Sequence, residues 1–205
     1  MGSEVLREQL AISLSIDPFA EFALWFDQAA ANEPADHDAV AVASVSADGR
    51  PSIRMVLKRD YDQRGFVFYT NLDSRKTHEL TANPFAAMCF YWKSTDRQIR
   101  IEGRVSLVDA SEADAYFASR PYESQIGAWG SKQSQILDQR ATLEDRIAKY
   151  EKRFSPGQVP RPAFWSGYRL VPDNFEFWDR RPFRLHDRTL YSRDGDRWSS
   201  VKLYP

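Results

Sequence analysis

The sequence predicts a mainly β fold, an antiparallel barrel with a few helices packed outside it. Three observations carry this. Short β-prone runs follow one another with turn residues between them, the pattern of successive hairpins. Helical segments are few and do not alternate with the strands, which argues against a parallel α/β sheet. No glycine-rich nucleotide loop of the Rossmann or P-loop kind is present, so a bound phosphate would be held mostly by side chains.

The elements follow in order. Asp17-Pro18 opens a helix as N-cap and first helical residue. Phe19, Phe22, Trp25, Phe26 and Ala29 then recur at helical spacing, and the pattern stops near Asn32-Glu33-Pro34. Residues 1–16 carry no strong signal and read as a mobile arm. Strands are expected at 39–45 and 52–57, joined by a tight turn at Asp48-Gly49. Gly65 ends another turn before the strand 66–70, and Ser74 is placed to cap a short helix through Leu80. Strands at 86–92 and 97–108 come next, the second kinked at Gly103. Ser111-Glu112-Ala113-Asp114 starts a helix that Pro121 stops, and a charge-laced helix with Leu143, Ile147 and Tyr150 on one stripe covers 138–153. Strands return at 167–171, 174–178, 184–187, 189–192 and 198–202, with Asp194-Gly195 as a turn.

At 205 residues the chain is one domain, given roughly 100–200 residues per domain. The domain is expected over 17–205. Its 28 Lys and Arg against 29 Asp and Glu give a net charge of -1, which argues against a bulk nucleic-acid or membrane-surface binder. Cys89 is the single cysteine, so no intrachain disulfide or thiolate metal cluster is expected, and its apolar surroundings suggest a buried structural thiol. No His, Asp and Glu spacing suggests a metal site. There is no signal pattern at the start and no run of about 18 apolar residues, so the expected location is the cytoplasm.

Several polar clusters stand out. Arg54 lies opposite Ile53 and Met55 on a strand, and taken alone it reads as a side chain that snorkels to solvent. Arg75 and Lys76 are adjacent cations at a helix start, where the helix dipole opposes them unless an anion sits there. A solvated basic turn is the plainer reading. Tyr116 and Arg120 share a helical face, and with Ser124 they supply a guanidinium fork and two hydroxyls, a phosphate cradle. Arg120 as a simple helix cap is the alternative. Lys132-Gln133-Ser134 offers further donors in an expected loop, where simple solvation is the plainer reading. On a strand, Arg184, His186 and Arg188 would share one face and repel one another unless a ligand or anions lie against them; a charged edge strand is the other reading. Together these clusters suit a ligand or ligands bearing two phosphates.

The order and spacing of the clusters resemble the pyridoxamine 5′-phosphate oxidase family from about Asp17 to Pro205. The likeness rests on Arg54-Met55-Val56-Leu57, Phe68-Tyr69-Thr70-Asn71, Ser74-Arg75-Lys76, Arg97-Gln98, Ser119-Arg120-Pro121 and Ser124 through Trp129. It continues through Ser131-Lys132-Gln133-Ser134, Phe164 through Gly167, Glu176-Phe177-Trp178, Arg184-Leu185-His186-Asp187-Arg188 and the closing Leu203-Tyr204-Pro205. The resemblance implies an FMN-binding split β-barrel, antiparallel and Greek-key-like with outer helices, working as a homodimer with FMN at the interface. Positions implied to hold FMN are Arg54, Met55, Val56, Leu57, Tyr69, Thr70, Arg75, Lys76, Gln98, Gln133, Ser134, Trp178 and Arg188. Those implied to hold the substrate are Arg59, Tyr116, Arg120, Ser124, Arg184, Leu185 and His186, with Arg184 and His186 nearest the chemistry.

The implied reaction oxidises pyridoxamine or pyridoxine 5′-phosphate to pyridoxal 5′-phosphate, with O2 reduced to H2O2. Two features depart from the family. Lys58-Arg59 stands where Leu-Lys is usual, so Arg59 is expected to take the role of the substrate-phosphate lysine. Residues 1–16 also lack the Arg-Arg-and-Tyr segment that some members use as a lid. The alternatives are a related flavin oxidase with another aromatic substrate, as in the phenazine-pathway relatives, a non-catalytic FMN or pyridoxal-phosphate carrier, and a plain soluble barrel with a charged surface.

Overall fold

The computed structural model describes residues 17–205, so the expected N-terminal arm lies outside the described residues. Among the described residues nine strands, all paired antiparallel, form one curled sheet in the order β2-β1-β5-β6-β7-β4-β3, with β8 and β9 continuing from β7. The strands are β1 (Ala39–Val45), β2 (Pro51–Leu57), β3 (Asp60–Asp62), β4 (Gly65–Asn71), β5 (Phe85–Trp92), β6 (Arg97–Leu107), β7 (Trp165–Asp179), β8 (Asp187–Asp194) and β9 (Arg197–Leu203). The helices are α1 (Pro18–Asn32), α2 (Arg75–Ala82), α3 (Ala110–Ser119), α4 (Tyr122–Gly130) and α5 (Arg140–Arg153). This is the antiparallel sheet with outer helices that the sequence predicts, in the split-barrel arrangement that the resemblance implies.

The core is aromatic. Asp17 accepts a hydrogen bond from the Phe19 backbone N–H at 2.9 Å, which caps α1 and fixes its apolar face toward the sheet. Phe22 is fully buried and meets Phe66 edge-on at 4.7 Å and Phe90 at 5.4 Å. Edge-on packing suits the ring quadrupoles, and burial of a ring this size stabilises by about 2–3 kcal/mol. Cys89 departs from expectation: alternation along β5 buries Met88 and Phe90 and leaves the thiol half-buried on the other face.

β7 is the organiser. One edge pairs with β6 over 168–179, while the other pairs with β4 over 165–170 and with β8 over 174–179. The sequence reads this strand as two because Pro172 interrupts it. Instead the β6–β7 register shifts between Glu102 and Gly103, and Gly103 lies opposite Pro172. A side chain at Gly103 would put its Cβ 2.0 Å from the Val171 carbonyl oxygen, so only glycine allows the strands to close here.

Two segments correct the sequence reading. α4 was not expected, since Tyr122–Gly130 has two glycines and a weak apolar stripe. Residues 184–187 are not a strand: Pro182–Arg184 form a 3-10 turn, Phe183 and Arg184 have φ of 58° and 61°, and β8 starts only at Asp187. Pro182 lacks the N–H a ladder needs, so β7 and β8 pair only as far as Asp179 and Asp187.

Candidate active site

A cavity of about 620 Å³ opens between β2, β4, the start of α2 and the α3–α4 region. Its floor comes from β2, whose alternation sets the chemistry. Ile53 and Met55 are 69% and 63% exposed although both border the cavity, while Ser52, Arg54 and Val56 are partly buried. Arg54 therefore does not snorkel to solvent. Its Nη1 donates to Ser44 Oγ at 2.5 Å and to the Val42 carbonyl at 3.2 Å, and its Nη2 donates to Ser52 Oγ and to Glu79 Oε2. Met55, Val56 and Leu57 also line the cavity.

The start of α2 supplies the next wall. Ser74 is the N-cap residue, but its hydroxyl accepts from Lys76 Nζ at 3.1 Å instead of bonding the helix backbone. Lys76 is buried and also donates to Thr70 Oγ1 at 2.8 Å and Gln133 Oε1 at 2.6 Å. Burial, helped by the Arg54 charge, brings its ammonium down to about 8. Arg75 resolves the conflict with the helix dipole by pairing with Glu79 one turn on, Nε to Oε1 at 2.8 Å. Burial pushes the Glu79 carboxyl up, but bonds from Ser44, Ser52, Arg75 and Arg54 outweigh it and hold the group at about 2. Ser134, with φ 70°, completes this rim beside Gln133.

The far wall is an aromatic stack. Tyr69 lies 3.9 Å from Tyr116 and 5.3 Å from Trp165, with the rings nearly parallel. Burial pushes the Tyr69 phenol up to about 12, so it stays neutral. Gly167 pairs with Tyr69 across β4 and β7, and a Cβ there would come within 2.8 Å of the Tyr69 ring. The Arg120 guanidinium sits 4.8 Å over Trp165, and its Nη1 is buried with no hydrogen-bond partner among the described residues. A guanidinium N–H is costly to bury unpaired, so this group fits an anionic ligand.

Arg59 lines the same cavity and pairs with Asp38 at 3.1 Å. Lys58 turns away, its ammonium 3.8 Å from the Phe26 ring centre and 4.6 Å from that of Tyr61. The strand register thus presents Arg59, not Lys58. Ser124, in the first turn of α4, is half-buried and outside the cavity lining, whereas Ala128 one turn later belongs to it.

The remaining expected residues lie elsewhere on the chain. Gln98, Trp178 and Arg188 are directly paired across β6, β7 and β8 and form one cross-strand row. Arg188 donates from Nε to Glu176 at 2.8 Å and from Nη1 to the Tyr204 carbonyl at 2.9 Å. The His186 ring tilts against Trp178 at 4.4 Å, and its Nδ1 accepts from the Arg181 backbone N–H at 3.3 Å. Arg184 and His186 border a separate cavity of about 410 Å³ with Arg180 and Arg181, and Leu185 is exposed. Arg184, His186 and Arg188 do not share a strand face, because the first two belong to the turn.

Sequence reasoning missed Ser44, Ser52, Glu79, Asn71, Ser131 and Trp165. Ser52 was findable two residues before Arg54 on the same strand face, and Glu79 four residues after Arg75 on one helix face. Trp165 carries no local signal. Among the described residues no group of three His, Cys, Asp or Glu side chains is arranged to hold a metal ion, and no helix is long and apolar enough to cross a membrane.

Residues 26–154 match the family model described as pyridoxamine 5′-phosphate oxidase, and residues 165–205 match the pyridoxine 5′-phosphate oxidase C-terminal dimerisation region. A pyridoxine/pyridoxamine 5′-phosphate oxidase of Gluconobacter oxydans is 55% identical over 194 residues, 95% of this chain and 97% of that protein. One from Rhodopseudomonas palustris is 55% identical over 191 residues, 92% of this chain and 90% of that protein. Among solved structures, PhzG from Burkholderia lata 383, in complex with tetrahydrophenazine-1-carboxylic acid, superposes with a TM-score of 0.87 at 33% identity, covering 94% of each chain. A pyridoxamine 5′-phosphate oxidase-related, FMN-binding protein from Nostoc punctiforme superposes at 0.75 with 18% identity, covering 94% of this chain and all of that one, and shows the shared fold. With both parts of the chain matched and the barrel in common, the chain belongs to the pyridoxamine 5′-phosphate oxidase family.

Proposed function

We propose that the chain is an FMN-dependent oxidase that converts pyridoxine and pyridoxamine 5′-phosphates to pyridoxal 5′-phosphate. The observation that carries this is one cavity bearing two cation clusters. Arg54, Arg75 and Lys76 form the first, and Arg59 with Arg120, whose Nη1 has no partner among the described residues, forms the second. Two clusters fit two phosphates, one on the cofactor and one on the substrate. The donor set fits FMN, and Arg54 through Leu57, Tyr69, Thr70, Arg75, Lys76, Gln133 and Ser134 would hold it. When bound, FMN supplies the two-electron acceptor that takes a hydride equivalent from the substrate carbon and passes both electrons to O2, giving H2O2. For the amine substrate, water also enters and ammonia leaves.

The protein binds and orients. Arg120 gives its free Nη1 to the substrate phosphate, Arg59 adds a second charge, and Tyr116 closes the wall. The working unit is a homodimer, in keeping with the dimerisation region matched by residues 165–205. Gln98, Trp178 and Arg188, with Arg184, Leu185 and His186 beside them, would come from the partner and cover the open side of the cavity. Because His186 Nδ1 accepts a bond, the neutral ring carries its proton on Nε2, which makes Nε2 the donor available to the substrate ring. Ser124 would reach the phosphate only if the first turn of α4 moves toward it.

The test compares pyridoxine 5′-phosphate with unphosphorylated pyridoxine in the FMN-loaded wild type and in Arg120→Gln. The phosphate ester should be strongly preferred by the wild type. Loss of a charged bond worth about 1.5–3 kcal/mol should raise its KM roughly 10- to 150-fold in the variant, with kcat much less affected. Equal use of both substrates by the wild type would reject the reading.

A further inference from the structure

Glu79 does not line the cavity itself but bonds Ser52, Arg54 and Arg75, which do, and no resemblance assigns it a role. Its side chain is 5% exposed, yet it gathers four donors from three elements. Ser44 of β1 and Ser52 of β2 each donate to Oε2 at 2.5 Å, Arg54 Nη2 donates to the same oxygen at 3.2 Å, and Arg75 Nε donates to Oε1 at 2.8 Å. A carboxylate beside an anion site looks misplaced, because by Coulomb's law alone it repels phosphate.

The donor inventory shows what it does. A guanidinium has five N–H groups. Arg54 commits four of them, to Val42, Ser44, Ser52 and Glu79, and is left with Nε. Arg75 commits only Nε, so its two Nη groups have no partner among the described residues. Arg75 is also the exposed member of the pair, at 63%, and without an anchor its long side chain would sample many rotamers. Ser44, Ser52 and Arg54 thus fix Glu79, and Glu79 fixes Arg75 by the one nitrogen that leaves its fork free. The three cations Arg54, Arg75 and Lys76 against one carboxylate leave a surplus of two positive charges, which balances a phosphate dianion.

We infer that Glu79 is a positioning residue for the cofactor phosphate: it holds Arg75 by Nε so that both Nη groups face the ligand before it arrives. This rests on the FMN reading and deepens it. Preorganisation of this kind raises affinity by removing the ordering cost at binding.

The experiment titrates FMN and riboflavin, which lacks the phosphate, into wild type, Glu79→Gln, Glu79→Asp, Arg75→Gln and the Glu79→Gln/Arg75→Gln double variant, following flavin fluorescence. Both Glu79 variants should bind FMN about tenfold or more weakly, and riboflavin nearly as the wild type does, while Arg75→Gln should cost little once Glu79 is already replaced. Glu79→Asp keeps the charge but is one methylene short, so it decides the matter if Glu79→Gln fails to fold. Tighter FMN binding by Glu79→Gln, the result of removing a negative charge alone, would overturn the inference, as would an undiminished Arg75→Gln effect in the double variant. A wild type that binds FMN no better than riboflavin would instead overturn the cofactor reading, and the role of Glu79 with it.

Discussion

Arg54, Arg75 and Lys76 crowd three cations into one wall, and each is kept there by a different device: a fully bonded fork, an i,i+4 carboxylate and a nest of three oxygens. Lys76 gives a prediction with a definite sign. Its ammonium titrates near 8 in the free protein because burial and Arg54 disfavour the charge. A phosphate dianion favours the charge, so the pKa is higher in the complex. FMN affinity should be flat from about pH 7 to about 8 and then fall, by up to about tenfold per unit, as free Lys76 loses its proton. Affinity that stays flat through about pH 9.5 would show that Lys76 does not meet the phosphate. At this scale the sequence was informative about type and less so about environment. Alternation placed Arg54 opposite Ile53 and Met55, but only the fold shows Ser44 and Glu79 converging on it across 10 and 25 residues of sequence. Likewise the resemblance put Arg59 at the position of the usual lysine, while the Phe26 and Tyr61 rings that receive Lys58 could not be foreseen.

At the scale of elements, the aromatic wall depends on the β4–β7 pairing that sets Gly167 against Tyr69. In Gly167→Ala the new Cβ meets the Tyr69 ring at 2.8 Å and Val108 Cγ2 at 3.0 Å. The ring must shift toward Tyr116, which already stacks at 3.9 Å. Overpacking of this kind should cost about 1–3 kcal/mol, or about 2–4 °C of Tm per kcal/mol, and weaken FMN binding at the same time. A variant with wild-type Tm and FMN affinity would mean that Tyr69 is free to move. Most strands and α1 were legible because their apolar periodicity is strong and two of the hairpin turns carry Asp-Gly, whereas the three-residue β3 is too short to show a period. α4 was not, since its nine residues bury only Gln125, Ile126 and Gly130. The stretch Arg184–Asp187 alternates like a strand, but Pro182 and the two left-handed residues make it a turn, and local pattern cannot see that β7 has no partner there.

Over the whole molecule, the expected binding residues divide into the large cavity and the Gln98-Trp178-Arg188 row with its neighbouring turn. Sequence order lists them together; only topology separates them, and a second copy is the simplest way to reunite them. Ile53, Met55 and Tyr91 are exposed apolar side chains of the sheet suited to such a contact. Mixing Arg120→Gln with His186→Asn under conditions that exchange subunits tests the shared site. If the two residues come from different subunits, each mixed dimer has one intact site, and an equal mixture assayed at substrate well below the raised KM of Arg120→Gln should regain on the order of a quarter of wild-type activity. No gain over the separate variants would place both residues in one subunit's site.

The central claim is that this chain moves two electrons from a phosphorylated pyridine alcohol or amine to its flavin. The most direct measurement is anaerobic: load the chain with FMN, add pyridoxine 5′-phosphate and follow the flavin's visible absorbance. The account predicts bleaching, formation of one pyridoxal 5′-phosphate per flavin, and full recovery of the absorbance when air is admitted. Bound FMN that never bleaches with either pyridoxine or pyridoxamine 5′-phosphate would contradict it.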